Sequence, residues 1–249
     1  MELVVLGGQG TWPDAGGACT GYLLRTDGFT LWIDLGTGTM ANLQRHIGLL
    51  DVDAVVISHR HPDHLLDLFP YFYARLFHPE HPMGLPLYCP PGLVDGVTAL
   101  LSDQGGAMVE KVFDVRAVEP GESFGVGPFR VRTAPMRHPV PTLGMRVEAG
   151  GVALAYSADT GPTDELVGLA RDADLLLSEA TWLEVPGGAE PLHLTAGQAG
   201  EHAARAGAAE LVLTHVRWMN TDRDGGLERA STAFGKPAAL AEEGTRVTL

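Results

Sequence analysis

Two cysteines in 249 residues, Cys19 and Cys89, exclude a disulfide scaffold, and neither belongs to a C-x-x-C pair. Two reduced thiols are the expectation. Long apolar runs are missing too, so no membrane-spanning segment is expected. A cationic leader is also absent. Met1-Glu2 passes directly into Leu3-Val4-Val5-Leu6, an apolar run too short for an export signal, which points to a cytoplasmic protein. Positive charge is scarce, with 17 Lys and Arg against 31 Asp and Glu, a net charge of −14 and a pI of about 5.0. Such a surface repels the polyanionic backbone of nucleic acid, so a polynucleotide partner is not expected. A small phosphate ester held by metal ions is not excluded, because the field of the ions dominates at short range.

What is present is ordinary globular composition, 45% hydrophobic, in a chain long enough for one large domain. The 32 glycines and 17 prolines are scattered and imply many turns rather than a disordered tract. No linker, internal repeat or low-complexity segment interrupts residues 1–249, which read as a single domain. Apolar runs predict strands at 2–6, 19–25, 30–34, 54–57, 86–89, 112–117, 129–134, 144–149, 152–156, 174–178 and 210–213, with a last one at 245–249. Helices are predicted at 38–48, 64–78, 92–104, 163–171 and 195–206. Both halves share one order: paired strands, a helix, then a strand ending at polar residues. That order predicts two sheets packed face to face with helices outside. Gly7-Gly8-Gln9-Gly10 is a tight loop after the first strand, not a dinucleotide fingerprint, since no helix follows it promptly; it reads as a turn or as a close backbone approach to a metal site.

Directly after Ala54-Val55-Val56-Ile57 comes His59-Arg60-His61-Pro62-Asp63-His64. Packing does not account for three imidazoles and a carboxylate in six residues. His59 and His61, two apart in an extended segment, point the same way. Pro62 disfavours helix at His61 and suits the first turn of a helix that then carries Asp63 and His64. Two ligand pairs around two adjacent metals would follow. Three other strands end near a potential ligand: His138 after 129–134, Asp159 after 152–156 and His215 after Leu211-Val212-Leu213. Any one alone reads as a loop residue. Four segments with the same address read as one site.

The H-x-H-x-D-H run with a distant His, Asp and His resembles the metallo-β-lactamase-fold hydrolases along essentially the whole chain. The resemblance implies a four-layer αββα sandwich with the site at one edge. It implies one metal on His59, His61 and His138, a second on Asp63, His64 and His215, and Asp159 bridging them. Nitrogen and carboxylate donors suit two divalent ions, zinc first, with manganese or iron as alternatives. Two such ions about 3.5–4 Å apart share a hydroxide that serves as the nucleophile. β-Lactamases of this fold usually carry Cys where Asp159 stands and are exported, so that activity is not expected. Glyoxalase-type members add a helical C-terminal domain, and only 34 residues follow His215.

The opening Met1–Gly7, the run Leu177-Ser178-Glu179-Ala180-Thr181 and His193-Leu194-Thr195 before a helix are similar to ribonuclease Z and its phosphodiesterase relatives. The resemblance makes Asp63, Glu179 and His193 the catalytic residues beside the metals. His193 would contact the substrate phosphate or protonate the leaving oxygen, and Glu179 would orient and charge it. A structural alternative is that Thr195 only caps the helix and His193 is merely nearby. Ribonuclease Z enzymes that process transfer RNA carry a long arm, often between the third His and the bridging Asp. Here those residues are 21 positions apart, enough for a hairpin. The chain therefore looks like the compact relatives, bacterial cyclic-nucleotide phosphodiesterases among them, as Gly21-Tyr22-Leu23-Leu24 and Asp34-Leu35-Gly36 also suggest. The expected substrate is a small or cyclic nucleotide phosphodiester. The alternatives are a carboxylic ester, lactone or thioester, then transfer-RNA 3′ processing or metal binding without catalysis. Relatives of this kind are often homodimers.

Lesser features have two readings each. Arg60, Arg137 and Arg217 flank the proposed ligands and would bind an anion or pair with carboxylates. Asp34 would fix the tautomer of a ligand His or cap a turn. Trp182 and Trp218 read as pocket wall or core, with base stacking as the alternative. The aromatic run Phe69, Tyr71, Phe72, Tyr73 and Phe77 reads as core or a subunit interface. His78 and His81 read as an exposed loop, and His46 and His202 as surface residues on helices.

Overall fold

A strand with both faces buried needs apolar residues on both, and this chain supplies several such runs. The computed structural model describes residues 1–80, 82–185, 187 and 190–249. One sheet holds β1 (Glu2–Gly7), β2 (Gly21–Thr26), β3 (Phe29–Ile33), β4 (Ala54–Val56), β5 (Leu85–Cys89), β6 (Phe113–Ala117) and β14 (Arg246–Thr248), in the order β14-β1-β2-β3-β4-β5-β6. The other holds β7 (Ser123–Val126), β8 (Phe129–Pro135), β9 (Leu143–Ala149), β10 (Val152–Tyr156), β11 (Leu175–Glu179), β12 (Glu210–Thr214) and β13 (Ala239–Leu240), in the order β13-β12-β11-β10-β9-β8-β7. In each sheet an antiparallel meander runs into parallel strands, starting at β3–β4 and at β10–β11. The paired grammar of the two halves is thus a repeated sheet topology.

Alternation along the strands builds three apolar layers. Leu3 and Val5 face inward with Tyr22, Leu24, Ile33 and Val56, against Val131, Met145, Leu154, Tyr156 and Leu177 of the other sheet. Val4, Leu6, Leu23, Trp32 and Val55 face the opposite way. They are covered by α1 (Thr39–Leu43), α2 (Pro62–Leu65), α3 (Leu68–Phe77), α4 (Leu93–Ala99) and α5 (Asp103–Val112). Ala155, Leu176, Leu211 and Leu213 form the outer face of the second sheet. They lie under α6 (Asp164–Leu169), α7 (Ala196–Ala206) and α8 (Arg223–Phe234). The result is the expected four-layer αββα sandwich. No described helix is long and apolar enough to cross a membrane.

Several local expectations are corrected. The predicted helix at 64–78 is two helices, starting at Pro62 and Leu68. Pro70 has no N–H to give Leu66, and the Asp67 amide donates to Leu35 O, so the helical ladder is interrupted there. The predicted helix at 92–104 ends at Ala99, and Ser102 caps a second one by accepting from the Gly105 amide. The helix at 38–48 is one short turn, Thr39–Leu43. Helix α8 was not expected, because Gly225 and Gly226 weaken the pattern. Gly226 is needed there: a Cβ would lie 2.3 Å from the Trp218 ring. His202 is not a surface residue. It is buried, accepting from the Thr163 amide at Nε2 and donating to Gln198 O at Nδ1. His46 lies beyond the end of α1 and is half-buried. Tyr71 and Phe72 are core, whereas Tyr73 and Phe77 are exposed and stack on each other. Cys19 and Cys89 are free and buried, and burial pushes both thiols up to about 12. His81 lies outside the described residues.

Candidate metal centre

The parallel strands of both sheets end at one edge of the sandwich, and their C-terminal loops converge there. Such strand ends are the usual address of ligand sites in α/β sheets. His59, His61, Asp63 and His64 follow β4, His138 follows β8, Asp159 follows β10 and His215 follows β12. One donor atom from each of His59, His61, His138 and Asp159 falls within a 4.8 Å group. So does one from each of Asp63, His64, Asp159 and His215. Asp159 belongs to both groups. All seven sequence-predicted positions therefore come together, in the two sets expected. Two of the backbone positions involved are left-handed without glycine: His215 itself at φ 53° and Ala158 beside Asp159 at φ 50°. Strain of this kind persists where surrounding structure holds it, as it does at functional sites.

The hydrogen bonds behind the imidazoles decide which nitrogen faces the centre. His64 Nδ1 donates to Asp34 Oδ2 at 2.8 Å. Ser58 Oγ donates to the same Asp34 oxygen at 2.8 Å, so it is left to accept from His59 Nδ1 at 3.0 Å. Thr181 Oγ1 donates to Glu179 Oε2 and accepts from His215 Nδ1 at 2.8 Å. His138 Nδ1 is turned towards Leu192 O at 3.3 Å. In each of these four rings Nδ1 carries a proton, and Nε2 points inward. Asp34, fully buried, also accepts from the Ser58 amide and from Tyr156 Oη. Of its two readings, the group that fixes a ligand tautomer is the one the geometry supports.

Lone pairs facing lone pairs need a cation between them. His138 Nε2 and His59 Nε2 lie 2.9 and 3.1 Å from His61 Nδ1. His64 Nε2 and Asp159 Oδ1 are buried and have no hydrogen-bond partner, although they are 3.2 Å apart. His215 Nε2 lies 3.1 Å from Asp63 Oδ2 and 3.4 Å from Asp159 Oδ1. Orphaned buried polar atoms at this density are costly unless something positive joins them. Nitrogen and carboxylate donors without thiolate fit two divalent ions of zinc, manganese or iron type.

The titration behaviour agrees with that reading. Burial, helped by the neighbouring imidazoles, holds His59 well below its usual pKa. Burial likewise lowers His61 and takes His138 down to about 4. Neutral imidazole is the form that binds metal. Burial would raise Asp159 and Asp63, but the imidazoles around them win and hold both carboxyls well below the usual range. His64 goes the other way: burial lowers it, and the Asp159 and Asp34 carboxylates outweigh burial and hold it well above. A cation between His64 and Asp159 relieves the same pairing, so metal uptake and loss of that proton are linked. Chelation of the metal-loaded protein is expected to lower its melting temperature by about 5–10 °C, with recovery on adding back zinc or manganese. Scanning calorimetry before and after chelation measures this, and an unchanged melting temperature would rule out structural use of the cluster by metal.

Beside the centre stands a second constellation. The buried Glu179 carboxylate accepts from the Thr160 amide at 2.6 Å, the Leu194 amide at 3.1 Å, Thr181 Oγ1 at 2.7 Å and His193 Nδ1 at 2.9 Å. His193 stacks on His215, with ring centroids 5.5 Å apart and planes 10° apart. Burial lowers His193, but the Glu179 hydrogen bond and charge prevail and raise it to about 9. Its side chain keeps 22% exposure, and its Nε2 is left for a ligand. Thr195 does cap α7, in a full capping box with Gln198, so the structural reading of that threonine holds while His193 also faces the centre.

The flanking arginines divide. Arg60 is exposed between two candidate ligands and has no partner among the described residues. Arg137 pairs with Glu190 at 3.6 Å. Arg217 is committed to the chain itself, donating to Gly10 O at 3.0 Å and Trp12 O at 2.8 Å. Trp218 is core, with Nε1 donating to Ala180 O, and half-buried Trp182 lies edge-on to His193 at 6.4 Å. The loop after β1 takes the second of its two readings, a close backbone approach to the centre. The Thr11 amide donates to Asp63 Oδ2 at 2.6 Å, and a Cβ on Gly10 would lie 2.7 Å from the His215 ring. The glycines of 7–10 signalled that close approach.

Comparison with known proteins gives consistent matches. The beta-lactamase superfamily domain matches residues 30–216. An uncharacterized protein of Mycobacterium leprae (strain TN) is 37% identical over 243 residues, covering 95% of this chain and 84% of that protein. The probable metallo-hydrolase YhfI of Bacillus subtilis (strain 168) is 30% identical over 249 residues, 98% of each chain. The crystal structure of that metallo-beta-lactamase fold protein matches with a TM-score of 0.88 and 28% identity, over 99% of this chain and 98% of that one. A ribonuclease Z of Thermobifida fusca (strain YX) is 30% identical over 305 residues, covering 100% of this chain and 94% of that protein.

Proposed function

The chain belongs to the beta-lactamase superfamily, with the metallo-β-lactamase fold, and on that basis we propose that it is a dinuclear metal-dependent phosphodiesterase acting on a small or cyclic nucleotide. The observation that carries the phosphodiester is the His193–Glu179 pair, 2.9 Å apart, stacked against the candidate ligand His215. Glu179 raises the imidazole to about 9 and so favours its protonated form, suited to an anionic phosphoryl oxygen and able to give a proton to a leaving alkoxide. A carboxylic ester carries no charged oxygen before attack, so a standing cation favours the phosphodiester in the bound state. Named relatives support the same direction, a metallo-hydrolase and a ribonuclease Z among them.

His59, His61 and His138 would hold one divalent ion, Asp63, His64 and His215 the other, and Asp159 both. When bound, such ions supply an activated water and Lewis-acid stabilisation of the phosphoryl oxygens. Asp63 Oδ2, fixed by the Thr11 amide, would orient the attacking water and accept its hydrogen bond. His193 Nε2 would hold a proton against the phosphodiester and deliver it to the departing oxygen, while Glu179 Oε1 keeps the charge on Nδ1. Arg60, unpaired at the rim, adds a cation for the substrate.

The experiment is His193→Ala in metal-loaded protein, assayed on bis(p-nitrophenyl) phosphate and on p-nitrophenyl acetate. A loss of about 100- to 1,000-fold in kcat on the phosphodiester, with the ester rate little changed, is the expected result. Equal losses on both, or a parent enzyme that prefers the carboxylic ester, would make it an ester or lactone hydrolase instead.

A further inference from the structure

Neither tryptophan singled out by the sequence is placed to stack a flat ligand ring freely, since Trp218 is core and Trp182 is half-buried edge-on to His193. A third one is. Trp12 is 54% exposed, on the loop whose preceding residue, Thr11, donates its amide to Asp63 Oδ2 at 2.6 Å. Exposed apolar residues are common and usually mobile. This one is clamped. The Arg217 guanidinium lies 3.5 Å from the centre of the indole ring and covers one face. The same guanidinium donates to the carbonyls on both sides of Thr11, Gly10 O and Trp12 O, and reaches Asp14 Oδ1 at 3.4 Å. Asp14 is held in turn by Asn220 Nδ2 at 3.1 Å, and its amide by Gln9 Oε1. Arg217 is itself nearly buried, with 11% of its side chain exposed, and sits two residues from His215. With one face of the indole covered, its exposure belongs to the other face and the edge.

We propose that Trp12, backed by Arg217, is a stacking platform for the nucleobase of the substrate at the Asp63–His215 edge of the centre. The proposal rests on the phosphodiesterase reading for its substrate class, but not for its geometry. Ordering an exposed aromatic ring in advance removes the entropy that a ligand would otherwise have to overcome. A guanidinium on the far face draws charge from the indole and favours an electron-rich heteroaromatic partner on the near face. A single platform beside one bimetal cluster suits one base of a small nucleotide rather than a polymer track, in keeping with the net charge of −14.

The test measures the ratio of affinities for adenosine 5′-monophosphate and ribose 5-phosphate on metal-loaded protein by calorimetry, for the parent, Trp12→Phe and Trp12→Ala. Tryptophan fluorescence is followed alongside, with adenosine as a phosphate-free probe. The parent is expected to favour the nucleotide by about tenfold. Trp12→Phe should keep most of that ratio, and Trp12→Ala should bring it close to unity. The nucleotide should quench the parent's fluorescence, and that quenching should vanish in Trp12→Phe. A parent ratio near unity, or a preference that survives Trp12→Ala, overturns the proposal. Quenching by adenosine that depends on Trp12, in a protein with no phosphodiester turnover, would sink the phosphodiesterase reading and leave the platform standing.

Discussion

Asp159→Ala is expected to abolish hydrolysis, with a fall of about 10⁴-fold or more, and to empty both metal positions together. Its carboxylate belongs to both donor groups, and no other residue does. Oδ1 lies 3.2 Å from His64 Nε2 and 3.4 Å from His215 Nε2, and Oδ2 lies 3.6 Å from His59 Nε2 and 3.8 Å from His138 Nε2. Removing the carboxylate leaves the His59–His61–His138 group with no anionic donor and the His64–His215 group with Asp63 alone, so two dications would share one carboxylate. The contrast is His61→Ala, which touches one group only and should leave one metal per chain. Metal analysis of the purified variants by mass spectrometry checks both, and retention of one full equivalent by Asp159→Ala would exclude the bridging role.

Glu179→Ala is expected to lower stability by roughly 3–5 kcal/mol, seen as a melting temperature about 10 °C lower or more. The carboxylate is fully buried at the end of β11 and takes hydrogen bonds from the two loops that carry Thr160 and Leu194. Truncation leaves the Thr160 and Leu194 amides buried without acceptors and removes the counter-charge of His193. Each orphaned group costs about 1–3 kcal/mol, more where charge is involved. Glu179→Gln keeps the volume and one acceptor oxygen, and should lose less stability while losing the hold on the His193 proton. Calorimetry on both variants separates the two roles. A Glu179→Ala protein as stable as the parent would show that the loops are held elsewhere.

Much of this centre was legible because its chemistry is dense. His59, His61, Asp63 and His64 occupy six consecutive positions, and the distant His138, Asp159 and His215 share the address of a strand's end. Asp34 was legible as a tautomer-fixing residue for the same reason. What the sequence hid is contact between remote segments. The glycines at 7–10 allowed a close approach of that loop, but nothing local names Asp63 as the partner of the Thr11 amide, and nothing local to His202 announces the Thr163 amide that buries it. Helix α8 was hidden by Gly225 and Gly226, whose low propensity is overridden by the approach of the Trp218 ring. The divided helix at 62–77 breaks at Asp67, whose amide is drawn to Leu35 O on a remote segment while Pro70 has no N–H to give Leu66, and the apolar pattern carries straight through both.

The order of the donors along the chain has a consequence for biosynthesis. A ribosome that has released only β1–β6 has supplied His59, His61, Asp63 and His64, but the shared carboxylate at 159 and the closing imidazole at 215 come from the second sheet. An unfinished chain is therefore a poor competitor for cellular zinc or manganese, because no nascent fragment short of Asp159 owns a complete donor group and none short of His215 owns both. Metal acquisition becomes a late event that reports on the docking of the two halves, and a truncated or misfolded product is left without the ions it would otherwise withdraw from other proteins.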